Sequence, residues 1–157
     1  IVHSFPGRYQ RAWLARFAAK LGISAPRPED EALIRRLLDL MAGAQADFTR
    51  TFAGLSDGTA RDEFIDRAAF DAWAADWQAR IHGLADAHAV MARANPRRVP
   101  RNHRIEDAIA AAREGDYKPF HRLDSALRAP FDEQADWADL ARAPQPDEIV
   151  RRTFCGT

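Results

Sequence analysis

A single cysteine, Cys155, in 157 residues excludes any internal disulfide and any cysteine-rich zinc site. No apolar run approaches the roughly 18 residues needed to span a bilayer, and no basic-then-apolar leader opens the chain. Membrane insertion is therefore not expected. Formal charge is zero, so no global field steers the chain toward nucleic acid or an anionic surface. Lysine is nearly missing: Lys20 and Lys118 stand against a positive charge that is otherwise arginine. With so much alanine, that bias reads as a GC-rich bacterial genome, and the expected location is a bacterial cytoplasm. What remains, 46% hydrophobic and 29% charged residues, is the composition of an ordinary folded domain, long enough to bury a core without staples. The first residue is Ile1 rather than Met, which is the expectation for a piece of a longer chain.

The apolar pattern is helical throughout. Trp13, Leu14, Phe17, Ala18 and Leu21 recur at three and four residues between Tyr9 and Leu21, and Gly22 stands where a C-cap takes a left-handed residue. Pro28 with Glu29, Asp30 and Glu31 makes a first turn for a helix through Leu33, Leu37, Leu38, Leu40 and Met41. Gly43 is expected to bend or break it before a segment Asp47–Leu55 carrying Phe48 and Phe52, and Ser56 to Thr59 reads as a loop. Phe70, Trp73, Trp77, Ile81, Leu84, His88 and Met91 predict one long amphipathic helix, with the two tryptophans in the core.

Pro96 and Pro100 make Asn95–Arg101 an extended connector, after which Asn102 is expected to cap a helix with Ile105, Ala108, Ile109 and Ala112 on one face. Gly115-Asp116 stops it. A last helix, Lys118–Ala126, carries Phe120 and Leu123, with Leu127 just beyond, and the chain past Pro130 loses periodicity. The predicted fold is all-α, an irregular bundle of about five to seven helices. It occupies residues 1–131, and a mostly extended tail occupies 132–157.

Several clusters carry candidate chemistry. Arg97, Arg98, Arg101, His103 and Arg104 crowd five potential donors into eight residues, a composition that suits phosphate. The plainer reading is that these arginines pair with carboxylates or pin the connector to a neighbouring body. A nucleic-acid reading lacks interleaved aromatics. His82, Asp86 and His88 fall short of the three or four convergent ligands a zinc site needs, and His88, inside the apolar stripe, reads as a hydrogen-bonded core histidine. Asp62, Glu63 and Asp66 suit a helix start.

The order Ala94-Asn95-Pro96, Pro100-Arg101-Asn102-His103, Glu106, Ala108-Ile109, Gly115-Asp116, Phe120, Leu123, Leu127 and Pro130-Phe131, ending in Phe154-Cys155-Gly156-Thr157, resembles the C-terminal part of the selenoprotein O family. Its members are kinase-like proteins, much longer than this chain, that move AMP, or in some reports UMP, from the nucleotide to protein hydroxyls. The resemblance implies ATP and a Mg or Mn ion as cofactors of the parent. It also implies an upstream kinase-like domain and protein substrates as partners. No glycine-rich phosphate loop, strand-borne lysine or Asp-Phe-Gly-like metal motif occurs here. The family's catalytic and metal residues therefore find no match on this chain, whose expected role is structural or regulatory. Animal members carry selenocysteine near the same end, which makes Cys155 a redox candidate, with Arg151 and Arg152 available to favour its thiolate. A surface cut from a larger fold also implies self-association. Two readings of other classes stand beside this one. One is a free-standing interaction module using the Trp73/Trp77 face; the other is a nucleic-acid-binding domain using Arg97–Arg104.

Overall fold

The computed structural model describes residues 5–151. Among them are seven α-helices, two 3-10 helices and no strand, as the apolar periodicity predicts. The chain divides into two compact units, Ile1–Asn95 and Pro96–Thr157, so the boundary falls in the proline connector, inside the stretch read from sequence as one helical region.

The first unit contains α1 (Phe5–Lys20), α2 (Asp30–Ala44), α3 (Phe48–Gly54), a 3-10 turn (Thr59–Glu63), α4 (Arg67–Ile81) and α5 (Ala87–Ala94). Helix α1 packs on α2 and α5, and α2 packs on α4. Ala18, Leu21, Ile34, Leu37, Phe52, Trp73 and Met91 fill the space between them. Trp73 and Trp77 lie parallel, with ring centroids 5.6 Å apart and planes within 8°. Each buried indole N–H must find an acceptor. Trp73 donates to the Leu33 carbonyl and Trp77 to the Leu21 carbonyl, both at 2.9 Å. The core reading of this pair holds, and the face assigned to a partner-binding module is interior: Trp73 is 0% exposed.

Gly22 takes φ +81° after α1, and a Cβ there would lie 2.9 Å from the Ala87 carbonyl oxygen. Glycine thus serves both the left-handed turn and the approach of α5. Three expectations change. Helix α2 runs through Gly43, since one glycine in a helix costs only about 1 kcal/mol, and ends at Gln45, which itself takes the left-handed conformation at φ 51°. The long helix predicted through Met91 is two helices. Gly83, at φ +80°, turns the chain, so that a sequence period continuous across the turn belongs to two different axes. His88 is consequently exposed rather than a core histidine, while Ala87, Val90 and Met91 face inward.

The second unit contains α6 (Asn102–Arg113), α7 (Lys118–Arg128) and a 3-10 helix (Ala135–Ala141). Gly115, at φ +86°, ends α6 as expected. Asn102 does not cap α6: it is the first helical residue, and Arg101 flanks it without a side-chain cap. The small core is Leu123, Ala126 and Leu140, with Ile105, Leu127 and Trp137 against it. Phe120 and Ile109 are exposed instead. Trp137 and Leu140 come from the stretch read as aperiodic. A 3-10 turn spaces side chains by three, and one such turn is too short to register as a period.

Candidate functional site

The arginine-rich connector begins the second unit, and its geometry follows from its prolines. Pro96 and Pro100 hold the backbone extended, so its amides have no helical partners and must bond elsewhere. Both the Arg97 and Arg98 amides donate to the Pro130 carbonyl, at 2.8 and 3.3 Å. The Arg98 side chain follows them inward and is 3% exposed. Its Nη2 donates to the carbonyls of Ala129 (3.0 Å) and Asp132 (2.5 Å). The guanidinium lies 5.1 Å from the centroid of the Trp137 ring. Its Nε is buried without a hydrogen bond. Burial pushes this guanidinium below the ordinary arginine range; the nearby Asp132 charge opposes the shift and Arg97 adds to it. One planar cation thereby holds the whole turn after α7.

The other members of the cluster have contacts of their own. Arg97 reaches Glu133 at 3.6 Å. Arg101 is half-buried just before α6. Arg104 donates to the Asp107 carboxylate at 3.2 Å and to the Asp139 carbonyl at 3.1 Å. His103 is 5% exposed, and its Nε2 has no hydrogen-bond partner. Burial lowers its pKa first; Arg104, Arg142 and Arg101 lower it further, against the Glu148 charge. The five are neighbours in sequence, and Arg101 and Arg104 lie close enough to His103 to act on its charge, while Arg98 turns to the segment after α7.

A different arginine completes the pattern. Arg122 of α7 grips both oxygens of Asp139, at 2.9 and 2.5 Å, and also donates to the Asp136 carbonyl. Its hydrogen bonds to Asp139 raise the arginine pKa and lower that of the aspartate. Arg142 closes on Glu148 at 2.6 Å, and the Gln145 amide donates to the same carboxylate at 2.7 Å. Together they hold Glu148 down at about 2. A cleft of about 280 Å³ lies among Arg104, Asp107, Lys118, Arg122, Asp139 and Leu140. Its two guanidinium groups face carboxylates already, so its field is mixed rather than cationic. Sequence reading passed over Arg122 because an isolated arginine on a helix carries no signal of its partner.

Among the described residues, no three His, Cys, Asp or Glu side chains converge on a metal-sized site. His82 is exposed at the end of α4, and Asp86 accepts from the Ser24 hydroxyl at 3.5 Å. The acids near α4 serve locally: Asp66 caps it by accepting from the Ala69 amide at 3.0 Å, while Asp62 and Glu63 meet Arg67 and Arg50. Arg35 and Arg36 of α2 are exposed and bonded to Glu31 and Asp76. Cys155 and Arg152 lie outside the described residues. No helix among the described residues is long and apolar enough to cross a membrane.

The sequence reading missed two buried polar features of the first unit. Asp30 meets Arg80 of α4 across a separation of 50 residues. The Lys20 ammonium sits 5.3 Å over the Phe52 ring, donates to the Ala94 carbonyl at 3.1 Å, and is answered by Asn95 Nδ2 donating to the Lys20 carbonyl at 2.8 Å. Burial lowers the Lys20 pKa. Neither feature has a local sequence signature.

Comparison with known proteins adds what the geometry leaves open. The family model described as protein adenylyltransferase SelO matches residues 1–128. A protein nucleotidyltransferase YdiU of Ruegeria sp. (strain TM1040) is 53% identical over 157 residues, which is all of this chain and 33% of the relative. The protein of the same name from Ruegeria pomeroyi is 52% identical over the same shares. That from Rhodopseudomonas palustris (strain TIE-1) is 43% identical over 166 aligned positions, 98% of this chain and 34% of the relative. The chain thus spans about a third of the length of the relatives it matches.

Proposed function

Because the chain belongs to the protein adenylyltransferase SelO family, we propose that it is the helical C-terminal portion of a longer enzyme that transfers AMP from ATP to protein hydroxyls. The observation that carries the reading is the family match over residues 1–128 together with coverage of only 33% of a relative 53% identical. The position within the parent rests on the resemblance of the Asn95–Ile109 stretch and of the Phe154-Cys155-Gly156-Thr157 ending to the family's C-terminal part.

We assign the parent's Mg or Mn ion, which one or two carboxylates and the nucleotide phosphates suffice to hold, to the part of the protein outside this chain, which carries neither a glycine-rich phosphate loop nor an Asp-Phe-Gly-like motif. Triphosphate binding also finds little support: Arg98, Arg104 and Arg122 spend their donors on backbone carbonyls and carboxylates. No chemical step is therefore placed on this chain. Its own work is architectural. Arg98, Arg104, Arg122 and Trp137 knit the segment after α7 into a folded unit, and the stacked tryptophans organise the other. The test is labelled ATP supplied with Mg or Mn to the full-length gene product. Label on serine, threonine or tyrosine is expected; a full-length product without such transfer removes the enzymatic reading.

A further inference from the structure

The first half of α1 presents an aromatic face that the first unit does not cover. Every residue from Phe5 to Ala12 is exposed. Phe5 is 67% and Tyr9 61% exposed, and their rings stack one helical turn apart with centroids at 6.3 Å. Two turns of helix do not hold themselves in water, because nucleation costs more than so few hydrogen bonds return. Within the unit, Gln10 donates to Glu31 at 3.2 Å, and one turn on Arg35 lies over the Trp13 ring at 5.1 Å. A shallow groove of about 470 Å³ runs alongside, lined by Pro6, Tyr9, Gln10, Trp13 and Arg35.

Charge concentrates on the same helix. Helix α1 carries Arg8, Arg11, Arg16 and Lys20 and no acidic residue. Elsewhere in the unit six of eight arginines, Arg35, Arg36, Arg50, Arg61, Arg67 and Arg80, each meet a carboxylate, Arg27 and Arg93 being the other two. Arg8, Arg11 and Arg16 meet none among the described residues. One helix therefore combines uncovered aromatic surface with unneutralised positive charge, the pairing expected of a surface made to be covered.

Resting on the reading that this chain is part of a longer family protein, we propose that the Phe5–Tyr9–Trp13 face of α1 docks the rest of that protein, through a segment that is apolar and acidic. Two observations choose this occupant. About two-thirds of the relatives' length lies outside the match, given the 33% covered, so a large covalently linked body is at hand. A second copy seated α1 on α1 would bring together two helices that are both positive and lack any acid, which repel.

Hydrogen–deuterium exchange on the full-length gene product and on the 157-residue chain tests the proposal. Amides of residues 9–16 should exchange about 100-fold more slowly in the full-length protein. The double variant Arg8→Glu, Arg11→Glu in the full-length protein should remove most of that protection while α2 and α4 keep theirs. Both arginines are exposed, so the unit's own core is untouched, and Tyr9→Ser gives an independent second variant. Equal exchange in the two proteins overturns the docking surface and leaves the family reading standing. Protection that rises with concentration in the isolated chain assigns the face to a second copy and also overturns the proposal. A gene product no longer than this chain removes the underlying reading, a separate failure visible from its mass alone.

Discussion

Arg80 and Asp30, 50 residues apart, meet as a two-pronged ion pair: Nε and Nη2 of the arginine lie 2.6 and 3.0 Å from the two carboxylate oxygens. Asp30 is 3% exposed. It also accepts from the Arg27 amide at 2.7 Å, and Arg80 donates onward to the Ala25 carbonyl at 3.3 Å. The pair thus ties the α1–α2 connector to α4. Removing one partner strands a buried charge. Asp30→Asn or Arg80→Met should cost about 3 kcal/mol in urea unfolding, whereas replacing both with apolar residues should cost much less.

The same pair sets a pH dependence. Burial alone would raise the Asp30 pKa, but the Arg80 hydrogen bonds, the Arg27 amide and the Arg80 charge together take it below its ordinary 3.8. A depressed acid contributes stability that is complete above its unfolded pKa and disappears as pH falls through the folded value. The thermal midpoint should therefore drop below pH 3.8, and less steeply in the double apolar variant. Equal acid slopes in the two proteins would exclude this pair as a source of the dependence.

Arg98 gives a prediction about shape rather than charge. Its donors reach two carbonyls while its plane lies over Trp137. Arg98→Ala should destabilise the chain by about 1–3 kcal/mol, since two charge-assisted hydrogen bonds and the packing of the buried side chain on Trp137 are lost together. Arg98→Lys should recover little of it, because an ammonium lacks the planar fork. Full recovery by lysine, measured in the same urea titration, would mean that positive charge alone suffices there.

His103 predicts acid sensitivity in the second unit. Its buried ring is surrounded by Arg101, Arg104 and Arg142, with Glu148 the counter-charge, and its pKa falls below 6.5. The unfolded state then binds a proton more readily, so stability is retained above pH 6.5 and declines as pH drops through the folded value. Exchange protection of α6 and α7 amides should weaken over that range. His103→Gln should flatten the slope, and an unchanged slope would assign it to another group.

Gly22→Ala tests the close approach of α5. A methyl group there meets φ +81° and the Ala87 carbonyl 2.9 Å away. A loss of about 2 kcal/mol is expected from the backbone strain and the contact together. Thermal unfolding reads it. No loss would show that α5 is free to retreat from α1.

Much of the fold was legible in the sequence because burial on one helix face leaves a period of 3.6 residues. Trp73, Trp77, Leu37 and Phe52 announced themselves in that way, and Gly22 and Gly115 marked ends that they do terminate. The period misled at Gly83, where α4 and α5 stay in phase across a turn, so that the pattern alone could not show a break. It was silent about Trp137 and Leu140, which lie in one short 3-10 helix. The arginine cluster was visible as composition, but its geometry was not. Arg98 turns inward because the prolines extend the backbone and place Pro130 opposite it, a relation between segments about 30 residues apart that no local pattern encodes. The Asp30–Arg80 pair is invisible for the same reason.

The division of labour between this chain and the rest of its parent is tested most directly by supplying labelled ATP, with Mg or Mn, to the full-length gene product and to the 157-residue chain side by side. The account predicts AMP on protein hydroxyls with the full-length gene product and none with the chain alone. Robust transfer by the isolated chain would contradict it, since its arginines would then have to serve phosphate and not the carbonyls and carboxylates that hold them.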